Sequence, residues 1–224
     1  MSMDPALLAA TREGGDIFCR LAAAWLDKQL PTVTEEDRER TKRLVYALMY
    51  GAGKNRLSSI LSVTEQQAGA IMSSFYAKFS TLKLFNQRVL GDAARQGFLT
   101  SLLGRRRYFP GMKSGNQGVR CQAQRSALNF LLQGSAADIA KMGLLAAQAR
   151  LREEGMAATL VLMIHDELVW EVRPAELERA AVIVKEALQQ TQNFSLLKGI
   201  KFQVSLPVKV TVGNNLGSLG PVSH

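Results

Sequence analysis

Apolar residues recur every three or four positions through most of the first hundred residues, and that period predicts helices. Ile17, Leu21, Ala24 and Trp25 follow it within a helical stretch over residues 4–29 that breaks at Gly14 and Gly15, and Leu30 continues the spacing just beyond. Thr34, followed by Glu35, Glu36 and Asp37, reads as an N-cap with acids in the first turn; the helix it opens runs to about Tyr50 and stops at Gly51 and Gly53. Thr64 with Gln67 repeats the capping pattern and opens a helix to about Phe79, and another spans about 82–96 before Gly97. Beyond Gly97 the pattern changes: FLTSLLGRRRYFP predicts a short hairpin, and residues 118–154 predict a long helix kinked at Gly134. The stretch VLMIHDELVWEV (161–172) predicts two buried strands joined by a tight turn that carries His165, Asp166 and Glu167. Pro174 opens a helix over about 175–191, and KFQVSLPVKVTVG alternates like a strand near the end. Strands among long helices make the chain α+β.

Composition narrows this picture. With 224 residues, 47% of them hydrophobic, the chain can bury a sizeable core, as one large domain or two small ones. Cys19 and Cys121 lie too far apart for a zinc-ligand pair and are too few for a disulfide framework, which points to a reducing compartment. No stretch approaches the roughly 18–20 apolar residues of a membrane span, and MSMDPALLAATREGG lacks a basic segment followed by an apolar one, so a soluble protein without a membrane partner is expected. The net charge is +9, and its distribution is informative. Between Asp92 and Asp138 there is no acidic residue, while Arg95, Arg105, Arg106, Arg107, Lys113, Arg120 and Arg125 fall in that window. Such a segregated surface suits phosphates, though a solvated basic face has the same composition.

Two stripes and one turn carry candidate chemistry. Arg38, Lys42, Tyr46 and Tyr50 are spaced by four, so each is turned only about 40° from the last along one helix face. Cations at one end and phenols at the other match the polarity of a nucleotide, phosphates first and base or sugar second; half-buried tyrosines on a solvated face would show the same spacing. Arg125, Asn129 and Gln133 form a second stripe adjoined by Gln122, able to donate to minor-groove acceptors, or to serve as a plain polar outer face. An acid between apolar runs needs a partner or a cation, and Asp166 with Glu167 could hold Mg²⁺; an acidic hairpin turn is the simpler alternative.

Four segments in order, RERTKRLVYALMYGAG, GRRRY, RSALNFLLQGSAADIAK and IHDELVWEV, resemble the C-terminal fingers and palm of family A DNA polymerases across almost the whole chain. The resemblance implies helical fingers over 4–97, with a nucleotide-binding helix at about 34–50, and a partial palm over 98–224, with a primer-template helix at about 118–154 and a metal-site hairpin at about 159–172. By resemblance, Arg38 and Lys42 bind the triphosphate of an incoming deoxynucleotide, and Tyr46 and Tyr50 flank its base and sugar. Tyr46 stands where many members carry phenylalanine, which implies weaker discrimination against nucleotides lacking a 3′-hydroxyl, and Lys54 implies an extra cation near the templating base. Arg105, Arg106, Arg125, Asn129 and Gln133 are implied DNA contacts, His165 meets the primer end, Asp166 ligates catalytic Mg²⁺, and Glu167 supports the metal site.

The same likeness implies DNA-templated DNA synthesis with primer-template DNA and deoxynucleoside triphosphates as partners, on a full-length enzyme expected to be monomeric. LVYALMYGAGK leans toward the nuclear nu and theta members, nu first, and with them toward the nucleus, a bacterial or organellar source being the alternative. The family's second metal-binding aspartate comes from a motif resembling DYSQIELR, which is absent from these residues. The chain is therefore expected to be a polymerase fragment, inactive alone; a DNA-binding module without catalysis, or a structural fragment completed by another chain, are the alternatives.

Overall fold

In the computed structural model, which describes residues 3–12, 15–165, 167–191, 200 and 202–221, the helix-start signals sit where the pattern puts them. Pro5–Arg12 (α1) and Ile17–Leu26 (α2) precede Glu35–Met49 (α3), whose N-cap is Thr34. The Thr34 hydroxyl accepts the Asp37 amide at 3.1 Å and the Asp37 carboxylate accepts the Thr34 amide at 3.1 Å, a reciprocal cap worth about 1 kcal/mol. The apolar face of α3 buries Leu44, Val45, Ala47 and Leu48. Leu44 and Leu48 are fully buried, each contributing about 1.5–3 kcal/mol by burial. The Leu48 carbonyl near the end of α3 accepts from the buried Asn86 side chain at 3.2 Å as well as from the Gly51 amide at 3.1 Å.

Lys54–Leu61 (α4) is a short helix beyond those expected from the sequence. Of its residues Leu57 is buried, and Ile60 and Leu61, three and four positions on, pack partly buried against the same core. Glu65–Lys78 (α5) starts at the expected Thr64/Gln67 box, and Ser80–Gln96 (α6) ends at Gly97, whose φ of +79° suits the left-handed conformation that closes a helix. Phe98–Thr100 (β1) and Arg106–Tyr108 (β2) form the expected hairpin, pairing Leu99 with Arg107. Gln117–Asn129 (α7) then leads into a π-helical turn at Phe130–Gly134. The single long helix expected at 118–154 is thus interrupted by a π turn that ends at Gly134, the position of its expected kink.

The chain forms two compact units, Met1–Gly134 and Ser135–His224. In the first, Phe75 and Phe79 stack at 4.4 Å within a core that includes Leu21, Trp25, Leu44, Leu48, Phe85 and Leu128. In the second, Ser135–Glu153 (α8) packs on Leu177–Gln189 (α9), with Ala147, Leu151, Ile183 and Ala187 between them. Gly143 permits that approach, because a Cβ there would lie 2.6 Å from Leu188 Cδ2. Arg179 holds Glu154 through two nitrogens at 2.7 and 2.6 Å.

Ala158–Ile164 (β3) and Glu167–Val172 (β4) pair antiparallel in the second unit, with a register shift between Leu160 and Leu162. Contrary to the expectation of buried strands, Val161, Leu162, Met163 and Ile164 are 39–47% exposed. The physical reason is that β3 and β4 form a sheet of only two strands, so the distal half of the ladder has no third strand or covering layer among the described residues. The expected C-terminal strand is also much reduced: residues 202–210 form no strand, and Thr211–Val212 (β5) pairs with Gly220–Pro221 (β6). Pro207, which offers no amide to a ladder, sits in the middle of that run. Among the described residues no helix is long and apolar enough to cross a membrane.

Candidate functional site

Burial of Leu44, Val45 and Leu48 turns the opposite face of α3 outward, and with it the stripe from Arg38 to Tyr50. Tyr46 and Tyr50 lie with ring planes 8° apart and centroids 6.3 Å apart, and Phe18 from α2 leans on Tyr46 at 5.6 Å. Tyr46 remains 44% exposed, leaving an accessible aromatic face. The cationic end is held by carboxylates. Arg38 donates from Nε to Asp16 at 2.9 Å and from Nη1 to Glu35 at 2.9 Å and to Glu39, while Lys42 Nζ lies 3.5 Å from Glu39. The bond to Asp16 is the main reason the Arg38 guanidinium is held charged beyond its ordinary range. Burial pushes the Asp16 carboxyl up, but the Cys19 and Phe18 amides and Arg38 together outweigh it and hold it below the ordinary value.

The α3 and α7 stripes meet. Gln133 Nε2 donates to the Tyr50 hydroxyl at 2.5 Å. The turn after α3 approaches α7 so closely that a Cβ on Gly51 would lie 2.8 Å from Leu128 Cδ1, and Gly51 has φ +74°. A side chain there would collide and strain the backbone. Between the stripes lies a cleft of about 410 Å³ lined by Tyr50, Gln122, Arg125, Ser126 and Asn129. It shares Tyr50 and Arg125 with a second recess of about 350 Å³, lined also by Tyr46, Arg43 and Arg56. Arg43 and Arg56 were not among the sequence candidates; Arg43 adjoins Lys42 on α3, and Arg56 comes from α4, a helix the sequence did not lead us to expect.

The other cationic candidates of the first unit sit on the β1–β2 hairpin and on α4. Arg105 Nη2 donates to the Gly134 carbonyl at 2.8 Å, at the end of the π turn. Arg106 lies over the Phe98 ring at 4.9 Å, and Arg107 over Phe109 at 5.5 Å. These stacks order guanidiniums that remain exposed. Lys54 is the first residue of α4 and is exposed.

In the second unit, Ile164 pairs with Glu167, so two residues connect the strands. His165 is exposed with φ +54°, and Glu167 is exposed as well. Asp166 lies outside the described residues. Carboxylates at 166 and 167 are hard oxygen donors of the kind Mg²⁺ takes, so the donor chemistry fits one arm of such a site. Among the described residues no three His, Cys, Asp or Glu side chains converge to complete it.

Comparison with known proteins places this geometry. The sequence profile described as DNA polymerase family A matches residues 1–218. DNA polymerase I of Mycobacterium tuberculosis is 33% identical over 213 residues, covering 95% of this chain and 22% of that protein. DNA polymerase I of Geobacillus stearothermophilus is 35% identical over 84% of this chain, and DNA polymerase theta of Drosophila melanogaster is 32% identical over 100% of it. This chain covers 21% and 11% of those two proteins, so it spans about a fifth or less of the curated relatives it matches. Among solved structures, the POL domain of Pol1 from M. smegmatis in complex with DNA primer-template and dNTP superposes with a TM-score of 0.83 at 30% identity, over 92% of this chain and 35% of that one.

Proposed function

Because the chain belongs to DNA polymerase family A, we propose that it carries the incoming-nucleotide and primer-template surfaces of a template-directed DNA polymerase, with fingers over 4–97 and part of the palm over 98–224. The observation that supports this most is the Gln133–Tyr50 bond, which joins a nucleotide-shaped stripe to a minor-groove-shaped stripe along one cleft.

In this reading Arg38 and Lys42 bind the triphosphate, and the exposed face of Tyr46 and Tyr50 carries the base and sugar. Arg125, Asn129 and Gln133 donate to minor-groove acceptors near the primer end, where N3 of purines and O2 of pyrimidines are shared by all base pairs, so correct pairing is sensed without reading sequence. Lys54, Arg105 and Arg106 meet template or primer phosphates, and their contribution is salt-dependent. His165 orients the primer terminus, and Glu167 supports Asp166. The primer 3′-hydroxyl loses its proton to solvent as its oxygen forms a bond to the α-phosphorus, the bond from that phosphorus to the bridging oxygen breaks, and pyrophosphate departs with the electron pair. Asp166 would hold Mg²⁺, which when bound supplies charge neutralisation on the phosphates and the attacking oxygen. A second carboxylate from a DYSQIELR-like strand is supplied from outside these residues.

Single-nucleotide primer extension tests the reading, with this chain alone and joined to an upstream polymerase segment containing such a strand. Extension by the longer protein that disappears with Asp166→Ala, while primer-template binding persists, is the expected result. Normal extension by that variant overturns the Asp166 assignment.

A further inference from the structure

Three carboxylates surround Arg38, and they differ in what else they do. Asp16 is tied down, since its Oδ1 accepts the Phe18 and Cys19 amides at 2.8 and 3.0 Å while Oδ2 takes Arg38 Nε. Glu35 lies in the first turn of α3, and its side chain is 75% exposed. Glu39 alone among them touches both cations of the stripe, Arg38 through Nη1 and Lys42 through Nζ. Arg38 and Lys42 are one helical turn apart, and the Glu39 carboxylate lies between them as a bridging anion.

We infer that Glu39 is a built-in competitor for anions at the cationic end of α3, so that a polyphosphate must displace its carboxylate to engage Arg38 and Lys42 together. The inference rests on the assignment of Arg38 and Lys42 as the triphosphate ligands. Displacement is feasible because the Glu39 side chain is 38% exposed, so the released carboxylate has water within reach. Asp16 keeps its bond to Arg38 Nε in both states and holds the guanidinium in place. Glu39 thus sets the affinity of the stripe, whereas Asp16 sets its geometry.

Calorimetric titration of this chain with inorganic tripolyphosphate at low salt tests the competition. Glu39→Gln and Glu39→Ala should each bind about two- to fivefold more tightly than the parent chain, the span expected for release of a partly exposed ion pair. Glu39→Asp, which keeps the charge, should stay nearer the parent value than either. Measuring two neutral replacements alongside thermal unfolding keeps a folding defect in one from obscuring the result. Unchanged or weaker binding by folded Glu39→Gln or Glu39→Ala overturns the inference. The Arg38→Ala/Lys42→Ala double variant separates the two levels: if it binds as well as the parent, the triphosphate assignment itself fails. If it loses binding while the neutral Glu39 variants gain none, only the competitor role fails.

Discussion

Gln133 donates a 2.5 Å hydrogen bond to the phenol oxygen of Tyr50 across 83 positions of sequence. It ties the C-terminal end of the α3 stripe to the π turn that follows α7. A net contribution of about 0.5–1.5 kcal/mol is expected for such a bond. A double-mutant cycle with Tyr50→Phe and Gln133→Ala, read by urea unfolding, should give a coupling energy in that range. Additive effects of the two changes would show that the contact does not hold the stripes together.

Gly51→Ala should be costly. The residue would have to hold a left-handed φ of +74° and place its Cβ 2.8 Å from Leu128 Cδ1, while Leu128 is itself only 2% exposed and has little room to move. A loss of about 2 kcal/mol or more is expected, combining the backbone penalty with overpacking. Chemical unfolding that shows a loss below about 0.5 kcal/mol, within the range of ordinary surface changes, would contradict the close approach of α3 and α7.

Arg125 lines both recesses of the cleft and is exposed. Arg125→Ala should weaken primer-template binding. If the contact is to a groove edge, the loss is about 1–3 kcal/mol with little change in salt slope, whereas a phosphate contact lowers the slope by about one. Fluorescence anisotropy at several salt concentrations distinguishes these, and unchanged binding would remove Arg125 from the interface.

The cap of α3 predicts an acid-sensitive step. The Lys28 ammonium, 2.5 Å away, and then the Thr34 amide hold the Asp37 carboxyl down to about 2, against an ordinary value of 3.8. A depressed folded value means that the stability from this group is present above about pH 4 and is lost as pH falls through about 2. Urea midpoints should therefore fall between these limits in the parent chain and fall less in Asp37→Asn. Equal acid sensitivity in both would contradict the assignment of the shift to Asp37.

Much of the helical framework was legible because its signals are local. Thr34 with acids behind it, Thr64 with Gln67, and Gly97 each mark a helix end by satisfying nearby backbone groups, and the structure uses all of them. Four-residue spacing likewise announced both stripes, because position on a helix face follows from sequence distance alone. What stayed hidden depends on contacts distant in sequence. Spacing says nothing of Gln133 reaching Tyr50, or of Asp16 capturing Arg38 from another helix. α4 was missed because its eight residues between Gly53 and Ser62 are too short for Leu57, Ile60 and Leu61 to establish a period, and Arg56 joins Arg43 of α3 in the second recess through it. The apolar run Val161–Ile164 suggested burial, yet composition cannot say whether a covering layer is present, and these residues are exposed.

The central claim, that the cleft between α3 and α7 receives a template-paired nucleotide, is tested most directly by ternary-complex formation. Anisotropy of a labelled primer-template with a 3′-deoxy terminus would be measured with this chain in the presence of Mg²⁺ and each of the four deoxynucleoside triphosphates. The account predicts tighter binding with the template-complementary nucleotide than with the other three, and loss of that preference in Tyr50→Ala. Equal effects of all four nucleotides on DNA binding by the folded chain would contradict it.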